Sequence, residues 1–281
     1  MPDRYSAAWG LADGFPVETF GTAVIDREGV HTHGNTTRVQ RIASVSKPIA
    51  AWATLVAVEE GSVSLDDAVG QEGCTLRHLL AHAGGYPFSG DDPVGKPGAK
   101  RIYSNTGFDM IAAHVESATA MPFATYMTEA VFAPLGMTHS ALHGSCAKDV
   151  HSNVDDLVLF AREMQRPRLI AQETYVEAVT PVFPGLDGVL PGLGHMDPCP
   201  WGLGVEIRGF KTPHWTSPDN SSATFGHFGG TGTFLWVDPV ADVACILVAD
   251  REFDEWGTEY WPGFSTAVLS AARRARQTVN P

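Results

Sequence analysis

Basic residues are scarce in this chain: 19 lysines and arginines stand against 32 aspartates and glutamates, for a formal charge of −13. Nucleic-acid recognition needs a basic surface, so no nucleic-acid partner is expected. Cysteine is sparse as well. Cys74, Cys146, Cys199 and Cys245 are scattered, with no C-x-x-C pair to suggest a zinc site or a redox motif. Met1-Pro2-Asp3-Arg4-Tyr5-Ser6 lacks the basic and apolar regions of a signal peptide. Reduced, structural thiols in a cytoplasmic protein are the simplest expectation. The longest apolar run follows Ser44 and is too short to span a bilayer, so no membrane span is expected. No G-x-S-x-G turn occurs; Gly263-Phe264-Ser265-Thr266-Ala267 comes closest and falls in a helical stretch. Repeats, low-complexity segments and linkers are missing too, so residues 1–281 read as one compact unit.

What the chain does carry is three short pieces, far apart, that together suit acyl transfer to a serine: Ser44-Val45-Ser46-Lys47, Tyr103-Ser104-Asn105 and His227-Phe228-Gly229. A serine hydroxyl is a poor nucleophile until a base takes its proton. On a helix, residues three apart share a face, so Lys47 can sit beside Ser44. Residues 48–58 are apolar on every side, the mark of a buried helix, with Gly61 as its stop. Burial would also lower the Lys47 pKa from about 10.4 toward neutrality. The start of that helix leaves the Ser44 amide free to donate to an oxyanion.

Tyr103 and Asn105 follow a Pro97-Gly98 turn and precede a helical pattern, a good place to present side chains. A Lys47 ammonium beside Tyr103 would favour its phenolate, so the two are expected to share one mobile proton as a coupled pair. Asn105 can donate and accept at once and so orient both Lys47 and a substrate carbonyl. Residues 224–233 combine aromatics and threonine with four glycines, which suggests a strand approached closely by another backbone. Gly229 and Gly230 are candidates for contacting a substrate, the Gly230 amide as a second oxyanion donor. His227 is expected to line the pocket.

These residues resemble the serine β-lactamase and penicillin-binding-protein superfamily, in the branch of class C β-lactamases, D-alanyl carboxypeptidases and related esterases. Ser44 and Lys47 match its S-x-x-K, and Tyr103 and Asn105 its Y-x-N. His227-Phe228-Gly229 stands where many members carry K-T-G and esterase-like members often carry histidine. Arg41-Ile42-Ala43, residues 76–87 and Pro134-Leu135-Gly136-Met137 are further shared phrases. The resemblance implies an α+β, transpeptidase-like fold without metal or cofactor. It also implies catalysis through an acyl-enzyme, with Ser44, Lys47 and Tyr103 as the catalytic residues. The departure at His227 and Phe228 removes a lysine and a threonine suited to a substrate carboxylate. Small neutral esters therefore rank first as substrates. The alternatives are weak β-lactamase, D-alanyl carboxypeptidase or D-aminopeptidase activity on amides, transfer to an alcohol, or a non-catalytic binding protein that keeps the fold. The short stretch between Ser44 and Tyr103 suggests a trimmed wall and a more open pocket.

Strands are expected at residues 20–24 and 30–33, and again at 201–207, 224–228, 233–237 and 243–248, with a closing helix over 264–276. Strands at both ends with helices between predict an antiparallel sheet made by the two termini. That gives an α/β lobe of about residues 1–65 and 199–281, with a mainly helical lobe of about 66–198 inserted. His78 and His82, four apart, and His31 and His33, alternating on a strand, have metal-ligand spacing but no third ligand, so packing or capping roles are expected. Ser145-Cys146-Ala147-Lys148 repeats S-x-x-K by chance, without a buried helix behind it. Ser46 and Ser104 are expected to make local hydrogen bonds.

Overall fold

The computed structural model describes the backbone of residues 3–279 and side chains through residue 274. Its main sheet uses β1 (Phe20–Asp26), β2 (Gly29–Gly34), β3 (Glu206–Ile207), β4 (Phe225–Gly229), β5 (Thr233–Asp238) and β6 (Val243–Ala249). Their order is β2-β1-β6-β5-β4-β3, antiparallel throughout, so the early hairpin pairs with the last strand. Within β1 and β6 nearly every residue is buried, because both faces of the sheet are covered.

Alternation divides the two faces. Val24, Phe234, Trp236, Cys245 and Leu247 belong to one apolar cluster, which is completed by helices α1 (Ser6–Ala12) and, near the C-terminus, Glu255–Val279. Ala23, Ile25, Leu235, Val237 and Ile246 belong to the other. That second face is covered by α2 (Ser46–Glu59) and, after α3 (Asn105–Thr119), which packs on α2, by α4 (Val154–Gln165); the helix at Glu255–Val279 is α5. As its sequence requires, α2 is buried on all sides, from Ser46 through Leu55. Between α2 and β3 the chain is mostly helix and loop, with a small sheet joining Gln40–Arg41 to Val150–Ser152 and Ala141–Leu142, and a hairpin of Gly188–Leu190 and Gly194–Met196.

Two sequence expectations are corrected. The strand expected over 201–207 shrinks to Glu206–Ile207, bridged to Trp201 across a turn. Gly204 there has φ +79°, and a Cβ on it would lie 2.1 Å from the Ala51 Cβ, so the chain bends where it presses on α2. The closing helix begins at Glu255, well before residue 264, and carries Pro262 within it. Trp256, Trp261 and Phe264 are all buried against the sheet, and that burial outweighs the hydrogen bond lost at proline.

Candidate active site

Ser44 lies in a single 3-10 turn, Ala43–Val45, directly before α2. Ala43 adopts φ +45°, a left-handed conformation that costs about 1–2 kcal/mol for a residue with a Cβ. The surroundings hold it there. Thr233 Oγ1 donates to the Ile42 carbonyl and Thr231 Oγ1 to that of Arg41, both at 2.9 Å. Ser46 Oγ donates to Ala43 O at 2.6 Å and accepts from Val150 N at 3.1 Å, which is the local role expected of it. Gly229 is the contact surface for this turn, because a Cβ on it would lie 2.4 Å from Ile42 O.

Lys47 is the next residue of consequence, fully buried in the first turn of α2. Its Nζ donates to Asn105 Oδ1 at 2.7 Å, to Ala147 O at 3.0 Å and to Ser44 Oγ at 3.3 Å. Burial, against the opposing fields of Cys146 and Asp109, lowers its pKa to about 7. The second S-x-x-K thus contributes a backbone carbonyl, while Ser145 Oγ bonds Asp109 at 2.5 Å. Asn105 is aimed by the helix start. Ser104 caps α3 by accepting from Gly107 N at 2.8 Å and donates its own hydroxyl proton to Pro87 O at 2.7 Å.

Tyr103 reaches over this group from the loop before α3. The expected shared proton between Lys47 and Tyr103 is not what the geometry gives. Lys47 Nζ sits over the phenol ring, 4.5 Å from its centroid, and is not bonded to the hydroxyl. Burial raises the Tyr103 pKa above its ordinary value, and only a hydrogen bond with Ser44 opposes it. The phenol is therefore neutral. On its far side lies His227, whose Nδ1 donates to the Phe228 carbonyl at 2.6 Å. That bond leaves Nε2 as an acceptor, 3.4 Å from the Tyr103 hydroxyl. Burial, reinforced by the field of Lys47, lowers the His227 pKa to about 3, so the ring is uncharged.

A cavity of about 320 Å³ opens beside Ser44. Tyr103, His227, Gly230 and Trp201 line it, together with Phe88, Phe228 and Phe253. Leu190, Pro191 and Gly192, from the turn of the 188–196 hairpin, complete it. The trimmed wall expected from the short Ser44–Tyr103 spacing is thus made good by a later part of the chain. Asn105, Lys47 and Gly229 are not in the lining. Asn105 bonds the lysine, as expected, and Gly229 packs on the serine turn. Gly230 does face the cavity, just past Gly229, the last residue of β4 to pair in the sheet.

One group escaped the sequence reading. Glu206, only 2% exposed, borders the cavity. Its carboxylate accepts from Lys211 Nζ, from His214 Nε2 at 3.0 Å and from Trp215 Nε1 at 2.9 Å. Burial opposes the charge, but His214 and Lys211 hold its pKa well below the usual carboxylate value. Spacings of five, eight and nine residues through irregular chain gave no periodic signal for this cluster. His82 takes the packing role expected of it. Its Nδ1 accepts from Ser104 N at 3.1 Å, its ring lies 4.5 Å from that of Tyr103, and its Nε2 is buried without a partner. It supports the Tyr103 loop from below. His78 instead caps its own helix with Thr75 and stacks on Phe183. His31 and His33 bond Asp26 and Asp13. All four cysteines are buried and free, and no helix among the described residues is long and apolar enough to cross a membrane.

Comparison with known proteins places the chain in a family. The sequence model of the family described as Beta-lactamase matches residues 13–264. Among solved structures, a β-lactamase from Mycobacterium bovis is 46% identical, with a TM-score of 0.93 over 94% of this chain and 99% of that one. A hydrolase with promiscuous acyltransferase activity, EstCE1, shares the fold at 15% identity, with a TM-score of 0.78 over 95% of this chain and 97% of its own. A protein of Escherichia coli (strain K12), provisionally named a D-alanyl-D-alanine carboxypeptidase, is 22% identical over 88% of this chain and 75% of its own. The chain belongs to the β-lactamase family of serine hydrolases.

Proposed function

We propose that this serine hydrolase cleaves small neutral carboxylic esters through an acyl-enzyme on Ser44. The observation that carries the choice of substrate is the charge of the cavity. Among its lining residues the ionisable side chains are Tyr103, Glu206 and His227, and none is positive near neutral pH. No lining side chain offers a substrate carboxylate a cation, and the Lys211 ammonium is already paired with Glu206. A neutral ester meets aromatic and aliphatic side chains.

In this reading neutral Lys47 takes the Ser44 proton as Oγ attacks the ester carbonyl carbon. The amides of Ser44 and Gly230 hold the oxyanion. As the C–O bond breaks, Lys47 gives that proton to the departing alcohol, and the Tyr103 hydroxyl, beside Ser44, hydrogen-bonds the leaving oxygen. Water then attacks the acyl-enzyme, again giving its proton to Lys47, and Ser44 is restored as the acid leaves. Asn105 and the Ala147 carbonyl steady the ammonium while it exists, and His227 Nε2 orients the phenol.

A second reading, β-lactam or D-alanyl peptide hydrolysis, is favoured by the names of the Mycobacterium bovis and Escherichia coli relatives. Comparing p-nitrophenyl butyrate with nitrocefin separates the two. The ester reading predicts the higher kcat/KM for the butyrate, and a preference for nitrocefin overturns it. His227→Lys should shift the ratio toward nitrocefin by about tenfold or more, since a charged hydrogen bond contributes roughly 1.5–3 kcal/mol. No shift would remove the charge argument.

A further inference from the structure

Beyond the cavity at Ser44, a second hollow of about 490 Å³ lies against the outer face of the Tyr103 loop. The two share Phe88, Tyr103 and Pro191 as lining, so they meet at a common partition. Val94, Ile102 and Val189 give the outer hollow apolar lining. Three of its residues are among the few large apolar side chains that the described surface exposes: Phe88 at 57%, Val94 at 64% and Val189 at 55%. Scattered exposed apolar residues need no explanation, but a group gathered around one concavity marks a binding surface.

The walls of this hollow are built to stay put. Arg101 is buried and donates Nη1 to Ala81 O at 2.7 Å, Nη2 to Phe183 O at 2.9 Å and Nε to Cys199 O at 3.2 Å. Its backbone is bridged to Gly188, where a Cβ would lie 2.4 Å from the Arg101 Cβ. The hairpin carrying Val189 is thereby fastened to the loop carrying Tyr103. The lining of the hollow also includes Lys100 and the pair His195 and Asp187, whose Nε2 and Oδ2 lie 2.9 Å apart. Phe88 is stacked on Tyr103, with ring centroids 6.0 Å apart and planes at 23°, and so forms the partition itself.

We infer that the outer hollow is a substrate subsite, taking an apolar arm of the ester that extends past Phe88 from the carbonyl held at Ser44. The inference rests on the ester reading for its chemistry, and continuity with the cavity at Ser44 selects the occupant. A short chain fills the inner cavity alone. A longer one leaves it over Phe88 and removes Val94 and Val189 from water. The physiological substrate on this account is an ester with one medium-length aliphatic arm, either its acyl chain or its alcohol.

The test is a chain-length series. Rates are measured for p-nitrophenyl acetate, butyrate, octanoate and decanoate, and separately for butyl, octyl and decyl acetates, with wild type, Val94→Asp and Val189→Asp. Both substituted positions are exposed, so folding should survive, and a melting curve checks it. In one of the two series kcat/KM should rise by about tenfold or more beyond the butyl length, since each buried methylene adds a factor of several. The series that rises names the arm. Each aspartate variant should lower the ratio of long-chain to short-chain kcat/KM about tenfold. Ester turnover with a flat series, or a rise untouched by both substitutions, overturns the subsite and leaves the ester reading standing. Binding of 1-decanol to Ser44→Ala, followed by calorimetry, gives the converse separation. Binding weakened about tenfold by Val94→Asp supports the subsite even if no ester is turned over, and binding equal in both proteins overturns it.

Discussion

Asn105→Asp should turn the buried lysine from a base into a spectator at neutral pH. Lys47 Nζ lies 2.7 Å from Asn105 Oδ1, so the substitution places a carboxylate against a fully buried amine without changing the shape of the site. Charges about 4 Å apart at an effective dielectric constant of about 20 attract by roughly 4 kcal/mol. At 1.36 kcal/mol per unit, that raises the Lys47 pKa by about 3. The wild-type value is about 7, because burial lowers it. A base works only when deprotonated, so wild-type kcat/KM should climb with pH through about 7 and fall away below it. In Asn105→Asp the same limb should appear near pH 10, with activity at pH 7 down about a thousandfold and largely regained at pH 10. The assay is kcat/KM for p-nitrophenyl butyrate from pH 5 to 10.5, with a melting curve at each end of the range. An ascending limb that stays near 7 in the variant would refute Lys47 as the base. So would a wild-type limb near the ordinary lysine value.

Other consequences concern the frame around the site. Glu206→Gln leaves the Lys211 ammonium, 1% exposed, without its partner charge. Removing one member of a buried pair costs about 3–5 kcal/mol, so Tm should fall by about 10 °C. Adding Lys211→Met should restore most of that loss, and a single variant as stable as wild type would contradict the pairing. Gly229→Ala puts a Cβ 2.3 Å from Thr233 Oγ1 and 2.4 Å from Ile42 O, beneath the turn that carries Ser44. Overpacking there should cost about 1–3 kcal/mol and lower kcat more than it raises KM, and unchanged kinetics would show that the turn tolerates displacement.

The parts legible in sequence were those governed by local pattern. The β1–β2 hairpin, the all-apolar run that became α2, the Ser104 cap and strands β4 to β6 each announce themselves within about ten residues. So does the chemistry, because Ser44 and Lys47 are neighbours on one turn and Tyr103 and Asn105 are two residues apart. What was hidden depends on contacts between distant segments. Gly204 bends residues 201–206 because Ala51 lies behind it, which no strand propensity reveals. The closing helix shows its true start at Glu255 only when Trp256 and Trp261 are seen buried in the core. Residues 188–196 show no strong alternation, yet they wall the cavity through the Arg101 bridge. Asn105 bonds Lys47 as its place in the sequence suggests, whereas the packing of Gly229 on the turn that carries Ser44 shows only in the fold. Sequence order cannot say which side of a strand meets a ligand and which meets a turn.

The most direct measurement is the hydrolysis of p-nitrophenyl butyrate by wild type and Ser44→Ala side by side, with matched melting curves. Ser44 Oγ is the atom that Lys47 and Tyr103 converge on, and removing it leaves their packing in place. The account predicts turnover by the wild type, and none above background in an equally stable variant. Equal turnover in both proteins would contradict it.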